Sequence, residues 1–353
     1  MKISTELRAA CAVNAAVIGA TFSSGREAAS FFACAGWASW PGIAASSALF
    51  GLILGMIAHF ARETGARDLP GIYYRKLDER CGDAIGVVHA LLMLMMGAVA
   101  LSTAGELGML ALSARHPYLL SAGIAVALAV AASIGGLKPL SALGMVLVPV
   151  VILFFTALAI DPRPAQAGAY LTVIAEDLRG NFSVAVMLGA LFACLKAAMA
   201  CGVAAVYAPR VEPRRFGLLC GVIMALIAAS INCALQRGGE GVWALNLPAV
   251  VLAARWGVFG YYASIAVMWL GGVAVLSCAI SSIMALFSAR ISRPAAALMT
   301  AVGVILMSVA GLRALVSIGY PLLGWVCALC LCALAFFYER KGKRSVVAVK
   351  GAR

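Results

Sequence analysis

The sequence predicts an all-α membrane protein of ten transmembrane helices, arranged as a five-plus-five inverted repeat with helices one and six discontinuous. Composition is the first observation behind this expectation. Of 353 residues, 64% are hydrophobic and 12% charged, and the mean hydropathy is +1.01, values of a chain buried in lipid rather than water. The second is length, since charge, proline and glycine divide the chain into ten apolar stretches near the ~20 residues that a spanning helix needs. The third is a polar interruption inside the first stretch.

That first stretch is 7–36. Lys2 and Arg8 stand ahead of its apolar run as they would in a secretory leader, but the run continues past a leader's length, so it is expected to be retained. Within it, VNAAVIGATFSSGREAASFFACAG (13–36) sets a Gly/Ser-rich break and Arg26-Glu27 in apolar surroundings. A helix in lipid hides its backbone polar groups in its own hydrogen bonds, so a break is tolerated only where protein walls it. The break is therefore a candidate binding site.

Stretch 42–60 carries Gly51-Leu52-Ile53-Leu54-Gly55, a small-xxx-small face suited to close helix packing. Stretches 84–112, 118–136 and 141–160 complete a first set of five. The sixth, 183–207, holds Lys196 near its middle, and its helix-weakening Gly189 and Gly202 are the basis for expecting a second break. Stretches 216–235, 257–287, 295–311 and 315–338 follow. The intervening 161–182 and 236–256 are long for loops in a tight bundle. Asn246, LPAVVLAARW and Gly257 give the start and stop signals of a short helix over the outer mouth. With no low-complexity linker, 1–353 reads as one transmembrane domain: repeat one at 7–160, repeat two at 183–338, and a basic tail at 339–353.

Orientation follows from Lys and Arg, which favour cytoplasmic loops. With both termini inside, cytoplasmic segments hold 19 of the 27, the opposite side holds six, and Arg26 and Lys196 lie within spans. The expected location is the plasma (inner) membrane, multi-pass. The same asymmetry explains the net charge of +13 without nucleic acid: the tail YERKGKRSVVAVKGAR suits an anionic lipid surface.

Most of the eleven cysteines sit in apolar stretches, where a thiol behaves as a small hydrophobe, and His59, His89 and His116 fall at separate span ends. Neither a structural metal nor extracellular disulfides are expected. The sequence has no GxxxxGK[ST], HExxH or GxSxG motif, so neither ATP-driven pumping nor an enzyme is expected.

Ionisable residues inside the spans are few and costly: Arg26, Glu27, Glu106 and Lys196. Glu27 stands three residues after Ser24, the spacing of a capping box, which is compatible with a site role. Glu106 lies toward the outer end of its helix. Lys196 is placed to face a polar cavity, or to pair structurally with Glu27 or Glu106.

Gly19-Ala20-Thr21-Phe22-Ser23-Ser24-Gly25-Arg26-Glu27 resembles the G-x-x-F-[AS]-[ST]-G-[RQ]-E signature of the YkvI-like membrane protein family, in the amino acid-polyamine-organocation superfamily. The match departs at Thr21, where glycine is common, and in Lys196. The resemblance implies the LeuT-type fold, and with it specific sites. Carbonyls of Ile18, Gly19 and Ala20 would face the substrate. Phe22 would sit at the break, and the amides of Ser24 and Gly25 would meet an anionic group. Ser281 and Ser282 in the eighth span would join the first-helix carbonyls in a sodium site. The short outer helix would belong to an extracellular gate.

Together these readings give a secondary transporter, a symporter of a small solute such as an amino acid or related amine or carboxylate, working by sodium- or proton-coupled alternating access. Its substrate-binding residues would be Gly19, Ala20, Phe22, Ser24, Gly25, Glu27 and Lys196, and its ion-binding residues Ile18, Ser281 and Ser282. No cofactor is expected beyond the coupling ion. Lys196 offers a route to proton coupling, because an ammonium beside the site stands where a sodium ion would otherwise bind. The competing reading is a ligand sensor or assembly partner on the same scaffold.

Overall fold

The structure, a computed structural model, describes residues 4–76, 79–134, 137–163, 180–243, 245–287, 291–311, 315 and 319–350. Most of the 161–182 connection, Lys2, Arg179, Arg290 and Arg313 lie outside them, as do the side chains of Ala20, Lys138 and the basic tail. Fifteen α-helices are labelled in chain order. They are α1 (Thr5–Val17), α2 (Ala20–Ser23), α3 (Arg26–Phe31), α4 (Ser39–Thr64), α5 (Leu69–Lys76), α6 (Glu79–Ala111), α7 (Pro117–Ile134) and α8 (Leu137–Ile160). The remainder are α9 (Phe182–Tyr207), α10 (Pro213–Gly238), α11 (Glu240–Trp243), α12 (Pro248–Ala253), α13 (Gly257–Phe287), α14 (Arg293–Ser308) and α15 (Tyr320–Lys350).

Seven of the described helical segments are long and apolar enough to cross a membrane, which makes this a multi-pass membrane protein. Elements lie in all ten expected stretches. The first is divided among α1, α2 and α3, and the apolar helices Arg293–Ser308 and Tyr320–Phe336 are shorter.

Position in the bundle follows from side-chain size. Every residue of α1 from Ala9 to Val17 is buried, and α1 packs against α8, α9, α10 and α13. Its alanines and Cys11 let neighbours approach from all sides, as expected for a helix apolar all round. α9 is similarly enclosed over most of Leu191–Ala205. α7 by contrast presents Leu119, Leu120, Ile124 and Leu128 outward.

Glycine sets the closest crossings. A Cβ on Gly217 of α10 would lie 2.5 Å from the Gly51 carbonyl of α4, and one on Gly55 would lie 3.2 Å from the Pro213 carbonyl. The Gly51–Gly55 face is thus a packing face between α4 and α10. A Cβ on Gly189 of α9 would lie 2.3 Å from the Gly42 carbonyl.

This last contact corrects one expectation. The sixth span is not discontinuous: α9 is a single α-helix, its first turn capped where the Asn181 side chain accepts from Val184 N–H at 3.1 Å. Gly189 is small because α4 passes against it. A lone glycine costs a helix only ~1 kcal/mol, whereas unwinding in a buried apolar setting strands several backbone groups.

The two ends of the bundle are called inner and outer after the expected orientation. At the outer end the 236–256 stretch forms α11, α12 and a 3-10 turn over Ala254–Trp256, stopped by Gly257 at φ 72°. The short helix predicted between Asn246 and Gly257 is therefore present. Asp161, just beyond α8, anchors it: its carboxylate accepts from the Arg163 backbone N–H and Nε, both at 3.0 Å, and from Trp256 Nε1. At the inner end α5 lies beneath the bundle. Tyr73 Oη donates to the Cys330 carbonyl, and Lys76 Nζ meets Glu63 at 2.6 Å. All eleven cysteines are free thiols, and the described residues hold no cluster of three metal-ligating side chains.

Gly217→Ala should destabilise the protein by about 1–3 kcal/mol through overpacking, seen as a lower melting temperature in detergent. Gly123→Ala, whose Cβ would meet nothing within 4 Å, should not. A pH series tests the outer anchor. The hydrogen bonds from Arg163, then from Trp256, lower the Asp161 pKa to about 2, against about 3.9 unfolded. A depressed acid stabilises above its unfolded pKa, so its contribution should vanish as pH falls from about 4 to about 2. Asp161→Asn should lack that component of the melting curve.

Candidate functional site

The site is built on the interruption of the first span. Ile18 (φ −77°, ψ 67°) turns the chain out of α1, its N–H still donating to Asn14 O at 2.8 Å. After the one-turn α2, Gly25 adopts φ 85°, a left-handed conformation that favours glycine, and α3 starts at Arg26. A Cβ at Gly25 would also meet Leu235 Cδ2 at 3.2 Å.

Backbone groups freed at the break find partners within the protein. Ser23 N–H and Oγ both donate to Gly19 O at 2.9 Å, and Gly25 N–H donates to Phe22 O at 3.0 Å. The Ser24 carbonyl accepts from Ala249 N–H of α12 at 2.8 Å. Arg26 Nη1 donates to the Trp243 and Leu245 carbonyls, each at 3.3 Å, so the outer strap is bonded directly onto the break. On the other side α13 closes in: a Cβ on Gly271 would lie 3.0 Å from Ile18 O and 3.3 Å from Ser23 Oγ.

Below the break two charges meet. Glu27 of α3 and Lys196 of α9 lie 2.6 Å apart, with side-chain exposures of 1% each. Tyr320, the first residue of α15, donates its hydroxyl to Glu27 Oε1 at 2.8 Å. Lys196 Nζ stands 5.8, 5.4 and 5.7 Å from the ring centroids of Phe22, Phe192 and Tyr320. Phe192 in turn packs on Phe22, Phe31 and Phe32 at 5.1–5.3 Å. A carboxylate, an ammonium and a phenol thus share an aromatic chamber at the point where the helix is interrupted. Charges in such a place are expensive unless paired, and these two pair with each other while Glu27 also accepts from Tyr320.

The structure brings Phe22, Glu27 and Lys196 together, and Gly19 and Gly25 form part of the adjoining break. Ser24 joins them through its carbonyl bond to α12, and its Oγ accepts from Arg26 N–H at 3.2 Å, a cap one residue short of the capping-box pattern. The Glu27 carboxylate spans to Lys196 and Tyr320. Of the two acids weighed as partners for Lys196, the structure selects Glu27; Glu106 is half-buried near the outer end of α6. Ser281 and Ser282 are not brought to Ile18. They lie ten and eleven residues down α13 from Gly271, ~15 Å at 1.5 Å per residue, and Ser282 Oγ faces Gly202 of α9.

Four participants were not among the expected site residues. Phe192 carried a signal, since it stands four residues before Lys196 and so on the same helix face. Phe31 and Phe32 lie in the span but outside the motif's core. Tyr320 lies in another span, and no local spacing links it to Glu27.

No family model matches the chain, and no curated protein matches it in sequence. Among solved structures the chain is similar to MhsT, determined in complex with L-phenylalanine. The TM-score is 0.60 at 14% identity, over 94% of this chain and 87% of that one. Likeness at this identity shows the fold. This multi-pass membrane protein has the LeuT-like fold that the resemblance implied.

Removing one charge should cost more than removing both. Glu27→Leu leaves Lys196 buried without its counter-charge and should lose about 3–5 kcal/mol. Glu27→Leu/Lys196→Met should recover most of that loss. Melting temperatures of the two single variants and the double variant, compared as a cycle, give the coupling.

Proposed function

We propose that this protein is a secondary active transporter of a small solute bearing an amine, a carboxylate or both, with an amino acid as the model substrate. In this reading, 7–160 and 183–338 are inverted repeats, both termini are cytoplasmic, and alternating access exposes the Glu27–Lys196 chamber to each side in turn. The carrying observation is the paired, enclosed Glu27 and Lys196 beside an interrupted helix. An ion pair at that place is weak evidence for stability and strong evidence for use, because apolar residues of similar size would serve packing as well. The LeuT-like fold and a similar structure holding L-phenylalanine support the amino acid reading.

For coupling, the chamber favours protons over sodium. The Lys196 ammonium stands beside the break, where a coupling cation would otherwise bind. The serine pair proposed for sodium is remote from the first-helix carbonyls. The outer strap over Ser24 and α5 beneath the bundle are the elements placed to open on each side.

Counterflow in proteoliposomes tests the reading, with amino acids, amines and small carboxylates screened as labelled substrates and sodium and pH varied separately. Uptake that is indifferent to sodium, follows a pH gradient and loses that dependence in Lys196→Met is expected. Full coupling in Lys196→Met would overturn the proton route. Ligand binding without flux would overturn transport and leave a sensor on this scaffold.

A further inference from the structure

The surroundings of Lys196 are those of a bound ligand. Its ammonium has a carboxylate oxygen at 2.6 Å and three aromatic rings with centroids at 5.4–5.8 Å. A carboxylate backed by ring faces within ~6 Å is how proteins hold organic ammonium groups. Tyr320 completes the set by donating to the carboxylate oxygen opposite the one facing Lys196, which orients Glu27 toward the ammonium. We propose that Glu27, Phe22, Phe192 and Tyr320 form a receptor for the ammonium group of the transported solute, and that Lys196 occupies it here as a tethered stand-in.

Charge balance makes the occupants exclusive. At this depth Arg26 is engaged with the outer strap through the Trp243 and Leu245 carbonyls, and the chamber holds one carboxylate and one ammonium. Two ammonium groups on one buried carboxylate would leave a positive charge uncompensated in an apolar cage. An incoming ammonium therefore displaces Lys196, and the strength of the Lys196 contact sets how tightly the solute binds. The side chain of Lys196 ends in a four-carbon amine, so the space it fills is that of an unbranched alkylammonium. Once displaced, Lys196 is free to meet a carboxylate on the same molecule. The receptor thus has two possible clients sharing one chemistry, a simple amine and a zwitterionic amino acid. The inference deepens the transport reading by naming the group recognised at that site.

A matched set of four-carbon probes tests this by binding to the purified full chain: n-butylammonium, L-2-aminobutyrate and butyrate, measured by calorimetry and thermal shift. The wild-type protein should bind n-butylammonium or L-2-aminobutyrate and not butyrate. Lys196→Met removes the internal competitor and should tighten n-butylammonium roughly tenfold or more, the scale set by loss of one desolvated cation contact. If L-2-aminobutyrate weakens in the same variant, the client is a zwitterion whose carboxylate Lys196 holds. If both tighten, it is a simple amine. Glu27→Gln should abolish binding of both.

Should Lys196→Met fail to fold, Lys196→Gln also removes the competing charge while keeping a polar side chain, and should tighten n-butylammonium in the same direction. Unchanged or weaker n-butylammonium binding in a folded Lys196→Met or Lys196→Gln overturns the proposal, as does preferred binding of butyrate. Binding without counterflow would overturn transport while leaving the receptor intact. Counterflow of a solute lacking an ammonium group would do the reverse.

Discussion

Hydrocarbon offers no partner to a backbone N–H or C=O, and the architecture around the first span follows from that constraint. Interrupting a helix at Ile18–Gly19 and again at Ser24–Gly25 frees polar groups that must be received by protein. The reception is distributed. Ser23 folds back onto Gly19, Ala249 of the outer strap takes the Ser24 carbonyl, and α13 supplies Gly271 where a larger residue would strike Ile18. The break therefore requires a central position, and α1 is accordingly made of residues small enough to be packed on every side.

The same demand falls on charge. Glu27 and Lys196 are tolerable only together, and together they tie α3 to α9 across the middle of the bundle, with Tyr320 adding α15. Such a contact depends on helix position, because the attraction is strong when the geometry holds and the desolvation cost remains when it fails. The contacts at the two ends of the bundle differ in kind: Asp161 with Arg163 and Trp256 outside, Tyr73 with the Cys330 carbonyl inside. Each joins a short helix to long ones through a few polar bonds.

Glycine has two meanings in this chain, and they are not separable by composition. Gly25 is needed for its left-handed backbone at the break. Gly189, Gly51 and Gly217 are helical and are needed because a neighbouring backbone passes within a Cβ's reach. Reading Gly189 as a weak point was reasonable from one segment considered alone. The second segment, with the Gly42 carbonyl, supplies the reason it is not one.

The sequence by itself determined the membrane class, the place of the first break, the short outer helix between Asn246 and Gly257, and that Glu27 and Lys196 are among the few ionisable residues inside the spans. Each is a local property: hydropathy over one stretch, turn chemistry over a few residues, or a charge where charge is costly. Tertiary structure decided that Lys196 pairs with Glu27 rather than Glu106, that Tyr320 and Phe192 complete the chamber, that α9 runs unbroken, and that Ser281 and Ser282 fall away from Ile18. These depend on the rotation and axial register of one helix against another. Close glycine contacts and the reception of broken backbone set that register, and neither can be read from a single helix.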